Sequence, residues 1–180
     1  MEEFVPDFYF CSDTYFLHTH WDEIAKYVKN THAFIRWPFH AKLGYDAIPT
    51  HRIPDKWSFE PDVVVGLGGS ITYIMLQYMY WMGVKTVLVV GLDHDYFKFE
   101  TMPQHFDSRY VMTPENHPQL QHYRGNAKYA ARYKALTQNS YLMARKVFEE
   151  DGRRIINLTP NSGWLGWENG KIDDWYVDNS

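Results

Sequence analysis

The feature that most constrains this chain lies at its centre. A β-branched run, Asp62 to Val65 (DVVV), leads into a glycine turn (GLGGS, 66–70) and an apolar stretch closed by Gly83. A second apolar run, Thr86 to Gly91 (TVLVVG), follows. Such runs suit strands buried on both faces, as in parallel sheets covered by helices. Ser70 can cap a helix running to Met82, and Gly83 can end it. That helix is apolar nearly all round, which predicts burial. Strand, turn, helix and strand within about 30 residues make a βαβ unit, and such crossovers are nearly always right-handed. Ile71 to Leu92 resembles a membrane span in hydropathy. It contains Gln77, Gly83 and Lys85, however, and its composition changes midway. Two elements fit it better than one transmembrane helix of about 20 residues.

The flanks continue the alternation. Asp7 to Cys11 (DFYFC) reads as a strand that enters Ser12-Asp13 at once. Thr19 precedes Asp22 by three, a capping-box pattern, and Trp21, Ile24, Ala25 and Val28 follow at helical spacing. A helix over 20–29 is expected. Thr31 to Phe39 reads as a strand stopped by Pro38. Residues 40–60 read as a long irregular connection, of the length that is often functional or conceals a short element. Residues 93–125 have no period of 2 or 3.6 and read as a second long loop, beyond the end of a parallel strand. Ala127 to Glu150 reads as a helix with Tyr129, Ala130, Tyr133, Leu136, Thr137, Ser140, Tyr141, Ala144, Val147 and Phe148 on one face, stopped by Gly152. Arg153 to Leu158 reads as the last strand. The fold class this predicts is α/β, a Rossmann-like three-layer sandwich with a mostly parallel sheet.

Composition narrows the function classes. A chain of 180 residues is expected to form one domain over 1–180, and 45% hydrophobic residues argue against global disorder. A net charge of −4 without a basic patch argues against nucleic acid as a partner. Cys11 is the only cysteine, which excludes a disulfide framework within the chain and makes a reducing cytoplasm the expected setting. It reads as a buried small hydrophobe. The opening MEEFVPDFYF lacks a basic region before an apolar core, so no signal peptide is expected there.

Several groups can carry chemistry. Gly68, Gly69 and Ser70 stand between strand and helix, where backbone N–H groups and the helix dipole favour an anion. A tight strand–helix turn explains the same residues, and the Lys of a P-loop is absent. Asp93, His94 and Asp95 emerge at a strand end, where α/β sheets place ligands; a capping Asp with solvated neighbours is the alternative. HTHWD (18–22) has a metal-ligand pattern, but it enters a helix, and exposed helix-start residues fit better. His105 and His122 are candidate bases, and Arg124 can hold a phosphate bidentately. Asn161 and Ser162 (PNSG) can contact a sugar or base, or form an Asx-type turn. Trp164 and Trp167 can stack on a ring, although core packing is the commoner role.

The run VVVGLGGSITYIMLQYMYWMGVKTVLVVGLDHDYF resembles the 6-hydroxymethylpterin diphosphokinase MptE-like family (the former domain of unknown function 115). That family carries a glycine/serine turn, an apolar helix ending in Gly, an apolar strand and G-[VIL]-D-H-x-Y, here ending on Tyr96. HFDSRY, NSYLMARKVFEEDG and RIINLTPNS resemble its C-terminal half, and PDFYFCSD its middle strand, which closes on an Asp, here Asp13. The resemblance spans Pro6 to about Trp167. The same fold is shared with bacterial sialyltransferases that use a CMP-sugar, whose counterparts here are Gly69-Ser70, Gly91 to Asp93, HYRGN and PNS.

The resemblance implies a nucleotide-dependent transferase. Its first form is glycosyl transfer from a nucleotide sugar such as a CMP-sugar. Asp93 would orient a substrate, His105 or His122 act as base, and Arg124 and Ser70 hold phosphate. Asn161 and Ser162 would contact the nucleotide, with Asp13, Gly68, Gly69, Asp95, Tyr96 and Asn126 also in the substrate site. The second form is diphosphate transfer from ATP to a pterin alcohol, with Asp93 and Asp95 near Mg²⁺. The third is a non-catalytic binding module of the same fold. Two departures stand out. Asn126 replaces the histidine base of HYxGH, and an amide cannot take a proton at neutral pH. The G-x-G-P-S-L turn that cradles phosphates at the start of both families is also not found here. The expectation is therefore an N-terminally shortened fold with an exposed sheet edge, open to a partner or to oligomer formation. The partners expected are a nucleotide donor and a sugar or pterin acceptor. All of this supposes that the exits of the two Val-rich strands, 62–65 and 86–91, open into one pocket where Asp93 meets the histidine-bearing segment.

Overall fold

The structure, a computed structural model, describes residues 5–36, 46–48, 52–53, 56–94 and 127–175. The chain divides into two compact units, Met1–Met82 and Gly83–Ser180. Both are mixed α/β, and every described strand ladder is parallel.

In the N-terminal unit, β1 (Phe8–Cys11), β2 (His32–Arg36) and β3 (Asp46–Ile48) pair in that order. Phe8 stands opposite His32, and Phe34 opposite Asp46. Strand side chains alternate between faces. Cys11, Ala33 and Ile35 therefore share one face, where they meet Leu17, Ile24 and Val28 from helices α1 (Thr14–Thr19) and α2 (Trp21–Tyr27) and the 3-10 turn Val28–Asn30. Phe10 and Ile48 share the other face with Val65, Ile74 and Tyr78, beside Phe34. The rings of Phe10 and Phe34 stack at 4.7 Å, and Tyr78 closes on Phe34 at 4.7 Å. A second parallel pair joins β4 (Arg52–Ile53) to β5 (Val65–Gly66).

Several expectations are corrected here. The helix expected over 20–29 is present as α2 and the 3-10 turn Val28–Asn30, but an unexpected α1 precedes it, capped by the Asp13 carboxylate, which accepts from the N–H groups of Tyr15 (2.8 Å) and Phe16 (3.0 Å). Thr19 donates its hydroxyl back to the Tyr15 carbonyl, and α2 starts at Trp21 after His20, whose side chain makes no capping hydrogen bond. The DVVV run yields only Val65–Gly66 as strand. Pro61 presets the second position of a turn, in which the Val63 and Val64 N–H groups both reach the Glu60 carbonyl, and Val63 stays exposed. Turn chemistry overrides β propensity there. Residues 40–60, read as irregular, contain β3 and β4.

Helix α3 (Ile71–Trp81) follows the sequence reading closely. Ser70 caps it by accepting from Thr72 N–H at 3.1 Å, and Gly83 leaves it at φ +83°. Its burial is one-sided: Tyr73, Ile74, Leu76, Gln77 and Tyr78 are buried, whereas Met75 and Trp81 are exposed.

In the C-terminal unit, β6 (Thr86–Val89), β7 (Arg154–Asn157) and β8 (Glu168–Asn169) pair in order, with Val89 opposite Asn157 and Ile156 opposite Glu168. Helix α4 (Ala127–Glu150) packs against β7. Thr137, Ser140, Tyr141, Ala144 and Phe148 are buried at the spacing of one helical face. Gly152, at φ +66°, ends it in a Schellman arrangement, with Arg153 N–H on the Phe148 carbonyl and Gly152 N–H on that of Glu149. Strand β6 is less buried than its composition suggests: Leu88 is exposed, as is Val90 just beyond the strand's end. Among the described residues, no helix is long and apolar enough to cross a membrane.

Candidate functional site

Two segments about 70 residues apart in sequence meet at the C-terminal ends of β6 and β7. Parallel pairing carries both strands out at the same end, and a set of hydrogen bonds then holds the two exits together. Leu158 N–H donates to the Val89 carbonyl at 2.8 Å, and Leu92 N–H donates to Thr159 Oγ1 at 2.9 Å. The Ser162 hydroxyl donates to the Leu92 carbonyl, and Gly163 N–H donates to the Asp93 carbonyl at 2.7 Å. Ser162 Oγ also accepts from Trp164 N–H at 3.1 Å.

The close approach explains the glycine. A Cβ on Gly163 would stand 3.2 Å from the His94 carbonyl oxygen and 3.3 Å from that of Asp93. Two residues other than glycine take left-handed backbone here, His94 (φ +54°) and Asn161 (φ +56°). Such conformations cost about 1–3 kcal/mol and concentrate at functional sites. Asp93 and Asn161 are exposed, and Ser162 is half-buried. His94 is buried, with its ring 5.7 Å from Tyr141 and 5.3 Å from Trp164. Trp167 donates its indole N–H to the Tyr141 carbonyl at 2.9 Å, which ties this ring cluster to α4.

The structure thus brings together the 92–94 and 159–163 segments, which carry Asp93, Asn161 and Ser162. The Asx-type turn belongs to Asn157, whose Oδ1 accepts from Thr159 N–H at 3.0 Å, and Asn161 is exposed. Trp164 and Trp167 are buried and pack in the core of their unit. Sequence reasoning missed Asn157, His94 as a buried ring, and Gly163. The signal for Gly163 was its place just after PNS, where a strand-end loop must pass close to a neighbour.

In the N-terminal unit, Gly68 (φ +53°) and Gly69 (φ +71°) supply the two left-handed residues that lead to Ser70. Ser70 N–H reaches back to the Leu67 carbonyl, and its hydroxyl takes one of the helix-start N–H groups. The arrangement is a tight strand–helix turn capped by Ser70. The Asp13 carboxylate is engaged in capping α1. Cys11 is buried, and desolvation pushes its thiol up from 9.0 to about 11, which suppresses the nucleophilic thiolate.

His18 lies in the last turn of α1, and His20 Nδ1 stands 3.7 Å from Glu23. Among the described residues, no three or more His, Cys, Asp or Glu side chains gather as a metal site requires. Of the pair named for Mg²⁺, Asp93 is described and exposed beyond the end of β6. Asp95, Tyr96, His105, His122, Arg124 and Asn126 lie outside the described residues. No protein-family model, curated protein or solved structure matches the chain.

Proposed function

We propose that this chain is a nucleotide-dependent transferase, with glycosyl transfer from a nucleotide sugar as its reaction. The observation that carries the reading is the stitched mouth of β6 and β7. It joins the GLDH and PNSG motifs, on which the resemblance to the MptE-like and sialyltransferase families most depends, at the end of a parallel sheet where such folds hold ligands. Helices on both faces of β1–β2–β3 support the Rossmann-like sandwich class. The lone thiol fits a cytoplasmic setting.

The chemistry divides as follows. The exposed Asp93 carboxylate accepts hydrogen bonds from substrate hydroxyls, and the exposed Asn161 amide offers both a donor and an acceptor. The Ser162 proton is committed to the Leu92 carbonyl, so Ser162 holds the mouth in shape and offers the nucleotide only its remaining lone pair. The acceptor hydroxyl attacks the anomeric carbon, the bond to the nucleotide phosphate breaks, and the phosphate leaves with the bonding pair. His105 or His122 takes the hydroxyl proton, and Arg124 neutralises the leaving phosphate.

Calorimetry with CMP, followed by assay of CMP-sugar turnover with and without EDTA, tests this. Binding in the micromolar range, about −8 kcal/mol, with metal-independent turnover is the expected result. Loss of all turnover in EDTA, with ATP and a pterin alcohol as substrates, would favour diphosphate transfer. No binding of either nucleotide would leave a non-catalytic module.

A further inference from the structure

We infer that Gln77 is the positioning residue of the Gly66–Ser70 turn, its carboxamide standing where a neighbouring strand's peptide would. Gln77 is fully buried in an otherwise apolar stretch of α3. All four of its hydrogen-bonding capacities are used. Oε1 accepts from Gly66 N–H at 2.9 Å and from Ser58 N–H at 3.1 Å. Nε2 donates to the Gly66 carbonyl at 2.8 Å and to the Tyr73 carbonyl at 3.0 Å. The amide therefore grips both backbone groups of Gly66, as a strand partner does in a ladder.

A second contact fixes the same residue from another direction. A Cβ on Gly66 would come 1.9 Å from the Lys56 carbonyl oxygen, so the 56–58 segment lies directly on the β5 backbone. Gly66 is the last residue of β5, and Leu67, Gly68 and Gly69 are all that separate it from the Ser70 cap. Holding Gly66 at its N–H and its carbonyl sets the direction in which the chain leaves the strand. It thereby sets where the helix-start N–H groups point. A hydrophobic residue of the same size would pack equally well, but it would free Gly66 and leave buried backbone groups unpaired. The consequence for ligand binding rests on the proposed phosphate-holding role of this turn; the positioning of the turn does not.

Amide hydrogen exchange and NMR titration with inorganic pyrophosphate test both parts on the full chain. In the wild type, the Gly66 amide and the Gln77 side-chain amide protons should exchange as slowly as those of the core. Rapid exchange of the Gln77 amide would overturn the inference without any variant. In Gln77→Leu, Gly66 should exchange about tenfold faster, and pyrophosphate shifts at Gly68, Gly69 and Ser70 should need about tenfold more ligand. Leu76→Ala, buried on the same helix, serves as a comparison that lowers stability without touching Gly66. It should keep the wild-type pyrophosphate response. Wild-type exchange at Gly66 in Gln77→Leu overturns the positioning role. Absence of any pyrophosphate shift in the wild type, with Gly66 protected, overturns only the phosphate reading.

Discussion

Replacing Gly66 by alanine is the sharpest perturbation of the N-terminal unit. An added Cβ would lie 1.9 Å from the Lys56 carbonyl oxygen and 3.1 Å from Gln77 Oε1. An ordinary C···O contact is about 3.3–3.6 Å, so the Lys56 backbone must retreat by more than about an ångström. It is not free to do so. Ser58 N–H is bonded to Gln77 at 3.1 Å, and buried Trp57 packs edge-on to Tyr73 at 5.6 Å and Tyr80 at 5.7 Å. Retreat costs the Ser58 hydrogen bond, about 1 kcal/mol, and strains a well-packed region by about 1–3 kcal/mol. A loss of about 3 kcal/mol follows. Gly83→Ala supplies the contrast: nothing stands within 4 Å of its Cβ, and only the φ of +83° is penalised, by about 1–2 kcal/mol. Urea unfolding followed by far-UV circular dichroism measures both. A Gly66→Ala variant within about 0.5 kcal/mol of the wild type would refute the reasoning, because the segment over β5 would then be loose.

Asp13→Ala removes the cap of α1 and should cost about 1 kcal/mol in urea unfolding; an unchanged stability would show that the carboxylate does not cap. The Cys11 thiol has a folded pKa raised from 9.0 to about 11, so its contribution is fully present below pH 9 and is lost as pH rises through 11. Stability of the wild type relative to Cys11→Ala should therefore fall by about 2–3 kcal/mol across that window, and parallel curves would contradict it. Ser162→Ala removes the bond to the Leu92 carbonyl and the acceptor of Trp164 N–H. It should cost about 1–2 kcal/mol and speed amide exchange at Gly163; unchanged exchange there would mean that the two strand exits hold together without it.

The parts of the fold legible in the sequence are those where one periodic signal acts alone. Helix α3 has Ser70 before it, Gly83 after it and no competing turn, and α4 shows a clean buried face stopped by Gly152. The errors arise where two local signals compete. Thr19-x-x-Asp22 has the form of a helix start, but Asp13 starts a helix six residues earlier, so Thr19 ends α1 with its hydroxyl on the Tyr15 carbonyl and cannot cap α2. At β5, Pro61 turns the chain before Val63 and Val64 can extend, so the valine run promises a longer strand than forms. The candidate site is legible as two motifs, GLDH and PNSG, because polar residues after apolar strands are visible in one dimension. That Gly163 and Ser162 close on Asp93 and Leu92 is not, since it depends on β6 pairing with β7 in a register set by tertiary packing. Gln77 is visible only as a polar interruption that argues against a membrane span. Its partners outside α3, Gly66 and Ser58, are 11 and 19 residues away.

The central claim is that the paired exits of β6 and β7 form one ligand-holding mouth. Backbone amide NMR during titration with CMP tests it most directly. Saturable shifts appearing together at 92–94 and 159–163, and abolished in Asp93→Asn with the fold intact, are the predicted result. Shifts confined to other residues, or none at millimolar nucleotide, would contradict it.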